Sequence, residues 1–226
     1  MQQKQEFYET ARAIVSFTDS YTQIKQIKQN EQQDSESISS LTDIASSLQT
    51  LSDQILQTIR KKQVIQIPKL LKSLTTLVTF RLGTHIDLDV DNQRLKVRSW
   101  SRQCFRWIQH FGDEQDQSEL VNNGYGRVLS IKFCTAGGKG EEQDMEIRNG
   151  LFLITRFLGE LQLGRNYQTS FQPLPLLARR TEEQMEEEGA EEELDAQMNN
   201  NGDDGRIKGN AKWAKAITLN HFIHGG

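Results

Sequence analysis

Arginine recurs at four-residue spacing in the middle of this chain, at Arg94, Arg98, Arg102 and Arg106. On an α-helix these side chains share one face and repeat at about 6 Å along the axis. That repeat is comparable to the step between phosphates on one nucleic-acid strand, and guanidinium groups bind phosphate in a bidentate way. Together with Lys96, this arginine ridge predicts contacts to the phosphates of DNA or RNA without recognition of bases.

Repulsion between like charges at this spacing disfavours an isolated helix, so we expect an anionic group against the ridge. One candidate is the segment 181–197, which holds nine acidic side chains and no basic one. Within this acidic tract, four members repeat at the same four-residue pitch, namely Glu183, Glu187, Glu191 and Asp195. We therefore expect the tract to cover the ridge when no partner is bound. The alternatives are a ridge that is simply solvated and a tract that is a disordered linker.

Other arrangements that could carry chemistry are incomplete. The glycine-rich segment 136–140 lacks the Ser or Thr that follows the lysine of a phosphate-binding loop, so it predicts a turn. His221 and His224 have a spacing that can share a metal, but no third ligand lies nearby in the sequence. Cys104 and Cys134 stand in apolar surroundings, which favours buried, inert thiols. We therefore expect no enzyme activity, no cofactor and no metal site.

A second feature is an apolar seam with heptad spacing in the N-terminal region. This heptad seam consists of Ile38, Leu41, Ile44, Leu48, Leu51, Ile55 and Ile59. Residues 1–28 show a similar spacing, so the two segments predict an antiparallel, coiled-coil-like helical hairpin. Because a two-helix hairpin buries too little apolar surface to be stable alone, the seam should continue. It continues either onto partner helices or onto the body of this chain.

The arginine ridge requires a helix over the segment 91–112. Asp91 is a suitable N-cap and Gly112 a suitable C-terminal stop. The predicted core face of this helix consists of Val97, Trp100, Cys104, Trp107, Ile108 and Phe111. A competing interpretation extends the polar and apolar alternation of residues 85–90 past Asp91 into a β-hairpin.

The remaining patterns predict an α+β fold, in which the helical hairpin is followed by a small mixed helix and sheet body. Strands are expected over residues 85–90 and 125–135. The apolar segment 151–163 fits either a strand or a helix, and so does the C-terminal segment. The acidic tract is expected to be a disordered insertion. The predicted domains are the hairpin (1–66), the mixed body (67–180), the acidic segment (181–205) and a C-terminal element that docks back on the body (206–226).

Composition limits the classes of function. A hydrophobic fraction of only 35% and a mean hydropathy of -0.65 favour exposed helices over one compact ball. Two cysteines, no signal-peptide pattern and no long apolar run predict an intracellular protein without a membrane segment, in the nucleus or the cytoplasm, with the nucleus slightly favoured. We predict a non-enzymatic accessory or scaffold subunit of a multiprotein complex, which binds protein partners through the heptad seam. The alternative is a nucleic-acid-binding module that uses the arginine ridge and is modulated by the acidic tract.

Overall fold

The computed structural model describes residues 2–27, 38–58, 67, 69–81, 87–131, 144–167 and 169–224. Contacts divide the chain into two compact units, Met1–Gly112 and Asp113–Gly226, which we call the N-terminal and C-terminal units. Each unit has its own buried apolar core. The domain boundary predicted after residue 66 lies outside the described residues, and the one predicted after residue 180 falls inside a helix.

The N-terminal unit is a bundle of helices. Its described helices are α1 (Gln2–Ile27), α2 (Ile38–Thr58), α3 (Leu70–Val78) and α4 (Leu88–Phe111). Helices α2 and α3 each pack against both α1 and α4. Phe80, directly after α3, is fully buried and contacts the rings of Phe17 and Tyr21 on α1. The helices predicted for residues 1–28 and from Ile38 onward are confirmed.

Helix α4 begins at Leu88, four residues earlier than the predicted N-cap at Asp91 implies. Its N-cap is Asp87, whose side chain accepts a hydrogen bond from the Val90 backbone N–H at 2.9 Å. Asp89 and Asp91 then lie in the first turn, where negative charge interacts favourably with the helix dipole. The strand predicted over residues 85–90 is therefore wrong for residues 88–90, and residues 85 and 86 lie outside the described part of the chain.

The C-terminal unit is also helical. Its described helices are α5 (Glu114–Asn122), α6 (Tyr125–Ile131), α7 (Asp144–Leu163), α8 (Pro175–Glu186), α9 (Ala190–Gln197) and α10 (Arg206–His224). Helix α7 packs against α6, α8 and α10, and α10 also packs against α9. Tyr125 and Phe157 form an edge-to-face ring pair, 5.0 Å between centroids, where α6 meets α7.

The predicted α+β fold class is wrong, because the described residues contain no strand apart from an isolated bridge between Arg165 and Phe171. The segment predicted as a strand from Tyr125 is helix α6 as far as Ile131, and residues 132–135 lie outside the described part. Val128, Leu129 and Ser130 are all buried. Alternating polar and apolar residues indicate a strand only when one face is exposed. Here consecutive residues are all buried, so the alternation does not indicate a strand.

The ambiguous segments and the acidic tract are helical as well. The apolar segment 151–163 belongs to α7, and the C-terminal segment forms α10. The acidic tract forms the second half of α8 and all of α9, so its predicted disorder is wrong. Met185, Ala190 and Leu194 are buried and anchor this acidic segment to the C-terminal unit. Gly189 separates the two helices with a φ of 70°, a left-handed conformation that glycine adopts without steric cost.

Candidate partner-binding groove

The heptad seam lies inside the N-terminal unit. Leu41, Leu48, Leu51 and Ile55 have no exposed surface, and Ile44 is only 4% exposed. Ile38 is 47% exposed at the first residue of α2, and Ile59 lies outside the described residues. Since α2 packs against α1 and α4, the seam continues onto this chain's own helices. The spacing allows the seam to pack either against partner helices or against the body of this chain, and the structure shows the second.

The arginine ridge is not an exposed surface. Arg94, Arg98 and Arg102 are only 2%, 3% and 3% exposed, whereas Arg106 and Lys96 are exposed. The expected row of solvent-facing guanidinium groups is therefore wrong for three of its four arginines. The nucleic-acid hypothesis loses the repeated phosphate contacts on which it depended.

Burial of these arginines follows from the face that α4 turns towards the bundle. The buried positions recur every three or four residues and centre on the arginines rather than on the predicted tryptophan face; they include Val90, Arg94, Val97, Arg98, Ser101, Phe105 and Ile108. Arg98 Nη1 donates to the carbonyl oxygen of Phe80 at 3.2 Å, just after the C-terminal end of α3. A cation at this end of a helix interacts favourably with the helix dipole. The long aliphatic stem of arginine also contributes apolar packing.

We expect the buried and exposed arginines of α4 to differ in their effect on stability. Replacing Arg98 with Ala leaves the Phe80 carbonyl oxygen without this donor and removes buried stem atoms, so the free energy of unfolding should fall by about 2 kcal/mol. Arg106→Ala, on the exposed side of the same helix, should change it by less than about 0.5 kcal/mol. Urea denaturation followed by circular dichroism compares the two variants. Equal midpoints would contradict the structural role of Arg98.

The acidic tract forms ion pairs within the C-terminal unit. Glu183 pairs with Arg179 at 3.2 Å, and Glu187 pairs with Arg127. Asp195 pairs with Lys215 on α10. The pairs of Glu187 and Asp195 hold the tract to α6 and α10 of its own unit, and they lend no support to the expected cover over the arginine ridge.

An open groove runs between α2 and α4 on the outer side of the N-terminal unit. Its volume is about 380 Å³, which lies in the range of small-molecule and side-chain pockets. Its walls are Ser52 and Asp53 of α2 and Ser99, Trp100, Gln103 and Trp107 of α4. Trp100 and Trp107 were predicted as core residues, but both are half-exposed and face this groove.

The two tryptophans of the groove differ in how they are held. The indole N–H of Trp107 donates to Ser52 Oγ at 3.2 Å. Its ring also stacks with Phe111 at 5.9 Å between centroids, and the Arg106 guanidinium lies 5.7 Å from the ring centroid. Trp107 therefore forms a fixed wall. Among the described residues, no ring or cation contacts the Trp100 ring, and no ion pair involves the exposed Asp53 carboxylate.

Cys104 follows Gln103 on α4 and is fully buried. Burial raises the pKa of its thiol, a backbone hydrogen bond acts in the opposite direction, and the nearby negative charge of Asp53 raises the pKa further. Because the thiolate is disfavoured here, the thiol stays protonated. Only a thiolate is strongly nucleophilic, so the protonated thiol is a weak nucleophile. The predicted burial of Cys104 is confirmed, whereas Cys134 lies outside the described residues.

Two other candidate sites lie wholly or partly outside the described residues. The glycine-rich segment 136–140 and the side chains of His221 and His224 are not described. In the described part of the chain, no group of three or more His, Cys, Asp or Glu side chains could hold a metal ion. No described helix is long and apolar enough to cross a membrane.

A polar cluster in the C-terminal unit was not predicted from the sequence. The Glu160 carboxylate accepts hydrogen bonds from Arg156 Nε at 2.8 Å, from Arg165 Nη1 at 3.3 Å and from the Tyr167 hydroxyl. The buried Arg165 also donates to the Thr169 carbonyl oxygen and lies 4.5 Å from the Phe171 ring centroid. Burial raises the pKa of Tyr167, and its hydrogen bond to Glu160 adds to that rise. Since these groups bind one another, the cluster fixes the loop that follows α7.

Comparison of the chain with protein-family models, with curated proteins and with solved structures gives no match.

Proposed function

We propose that this protein is a non-enzymatic accessory subunit of an intracellular multiprotein complex, and that a protein partner binds in the groove between α2 and α4. The observation that carries this proposal is the open groove with the half-exposed Trp100 as its accessible aromatic wall. Tryptophan is enriched among the residues that dominate protein interfaces. A location in the nucleus, slightly favoured over the cytoplasm, belongs to the same proposal.

The groove replaces the heptad seam as the proposed contact. The seam residues from Leu41 to Ile55 are covered by other helices of the chain, so a partner helix could reach them only by opening the bundle. The groove lies on the outer side of the same two helices and needs no such opening. Its rigid wall at Trp107 is formed before any partner binds, which lowers the entropic cost of association.

Trp100→Ala should abolish partner binding while the fold is retained. Trp213→Ala is the matched control, because Trp213 is 72% exposed on α10 of the C-terminal unit. Each variant and the parent protein would be purified by affinity from the cell of origin, and the co-purifying proteins would be quantified by mass spectrometry. We expect a loss of about tenfold or more for Trp100→Ala, within the range of interface hot spots, and none for Trp213→Ala. Equal recovery with all three proteins would refute the groove as the contact.

A further inference from the structure

We infer that the groove between α2 and α4 binds a cationic side chain, lysine or arginine, presented by an extended basic segment of the partner protein. This inference rests on the proposed function and specifies the chemistry of its partner. It depends on two groups that share one small space, the Asp53 carboxylate and the Trp100 ring. Each favours a positive charge for a different physical reason.

The carboxylate supplies the electrostatic part of the recognition. Asp53 is the one charged residue among the six described residues that line the groove, and its side chain is exposed. It has no ion pair in the described part of the chain, so an incoming cation would not have to displace an existing partner. The negative charge of Asp53 also contributes to the raised pKa of the buried Cys104 thiol.

The Trp100 ring supplies the second part. The face of an indole ring attracts a cation through its quadrupole, and among aromatic side chains tryptophan does so most strongly. No aromatic or cationic contact to Trp100 occurs among the described residues. Trp107, on the same side of α4, already has the Arg106 guanidinium 5.7 Å from its ring centroid. An aromatic ring in this environment thus binds a guanidinium in the chain itself.

The charged residues around the groove determine whether it favours a positively or a negatively charged ligand, and each can be tested by substitution. Lys96 lies one turn before Trp100 and is exposed, and Arg106 lies beside Trp107; neither lines the groove. Both would weaken the attraction for a cation without reversing it, since Asp53 lies in the groove wall. Ser99 and Gln103 in the groove wall can form hydrogen bonds with the backbone of an extended peptide, and these polar residues suit such a backbone better than a large apolar anchor.

The probe is the capped tripeptide acetyl-Gly-Lys-Gly-amide, added to the full-length protein labelled with ¹⁵N. The chain has three tryptophans, so the indole N–H signals of Trp100, Trp107 and Trp213 can each be followed by nuclear magnetic resonance. We expect the signals of Trp100 and Trp107 to shift in a saturable way and that of Trp213 to stay in place. Norleucine in place of lysine keeps the four-carbon stem of the side chain and removes the charged ammonium group, and this probe should bind at least fivefold more weakly.

Two matched variants test the sign of the charge. Asp53→Asn should weaken binding of the lysine probe about fivefold, as expected for the loss of one exposed ion pair. Lys96→Gln should strengthen it by up to about twofold, because it removes a repelling charge. Both positions are exposed, and the unchanged spectrum of the remaining amides would show that each variant is folded. The inference is overturned if the norleucine probe binds equally well, if Asp53→Asn has no effect, or if the corresponding glutamate probe binds better.

The outcomes separate this inference from the proposed function. If the lysine probe leaves both indole signals in place while Trp100→Ala still loses its partners, the groove binds a partner of different chemistry and only the cation inference fails. If the probe binds and Trp100→Ala keeps its partners, the groove recognises cations but the proposed contact within a complex is wrong.

Discussion

Replacing Leu48 with Asp is expected to unfold the N-terminal unit. Leu48 is fully buried on α2, which packs against α1 and α4. The substitution removes roughly 2 to 3 kcal/mol of apolar burial and places a carboxylate where water cannot solvate it. The combined loss, about 5 kcal/mol, equals the whole stability of many small domains.

Hydrogen exchange measured by mass spectrometry tests this expectation for each helix separately. In Leu48→Asp, the amides of α2 and α4 should lose their protection, while those of α7 and α10 in the C-terminal unit keep it. Leu56→Asp is the matched control, since Leu56 lies on the same helix and is 43% exposed. Should Leu48→Asp keep full protection and lose only a binding partner, the heptad seam would be a partner surface after all.

The second large effect is expected at Gly126 in α6. A Cβ atom at this position would lie 2.7 Å from the Thr181 carbonyl oxygen and 2.9 Å from Gln184 Cβ on α8. The close approach also carries two hydrogen bonds, from the Gly126 N–H to Gln184 Oε1 at 3.0 Å and from Gln184 Nε2 to the Val121 carbonyl oxygen at 2.8 Å. Gly126→Ala must therefore separate α6 from α8 and should cost about 3 kcal/mol of unfolding free energy.

Gly209→Ala is the control with the same change in side chain. Gly209 lies inside α10, and a Cβ atom there would meet nothing within 4 Å. Alanine should stabilise this helix by up to about 1 kcal/mol, because glycine loses more backbone entropy on folding. Calorimetric melting of both variants should therefore give shifts of opposite sign. Equal melting temperatures would show that α6 and α8 do not approach each other as closely as described.

The sequence was informative where the apolar spacing was long and regular. The steps of three and four residues from Ile38 predicted the helix that the structure shows, and the arginine spacing correctly required a helix beyond Asp91. The predicted strand was wrong over residues 125–131, because α6 is a short helix that is buried on most sides. The predicted disorder of the acidic tract was wrong for a different reason. Its few apolar residues, such as Met185 and Leu194, are enough to anchor two short helices to a core that local composition does not reveal.

The candidate site could be predicted only in part. The spacing places Trp100 and Trp107 on one face of α4, but sequence reasoning takes large aromatic residues as core and arginines as surface. The structure reverses both assumptions in part, because Arg94, Arg98 and Arg102 are buried while the two tryptophans border an open groove. Ser99 and Gln103, which lie close to Trp100 on that side, are polar and were the available signal. Asp53 could not have been identified, since its place in the groove depends on how α2 packs against α4.

The positions of the three tryptophans make intrinsic fluorescence an unequal reporter of the two units. Trp213 is already 72% exposed in the folded protein, so its emission maximum should hardly move when the C-terminal unit unfolds. Trp100 and Trp107 are half-buried, and the hydrogen bond from Trp107 to Ser52 breaks when α2 and α4 separate. A red shift during denaturation would therefore report on the N-terminal unit almost alone, and melting of the C-terminal unit would pass nearly unseen by this method.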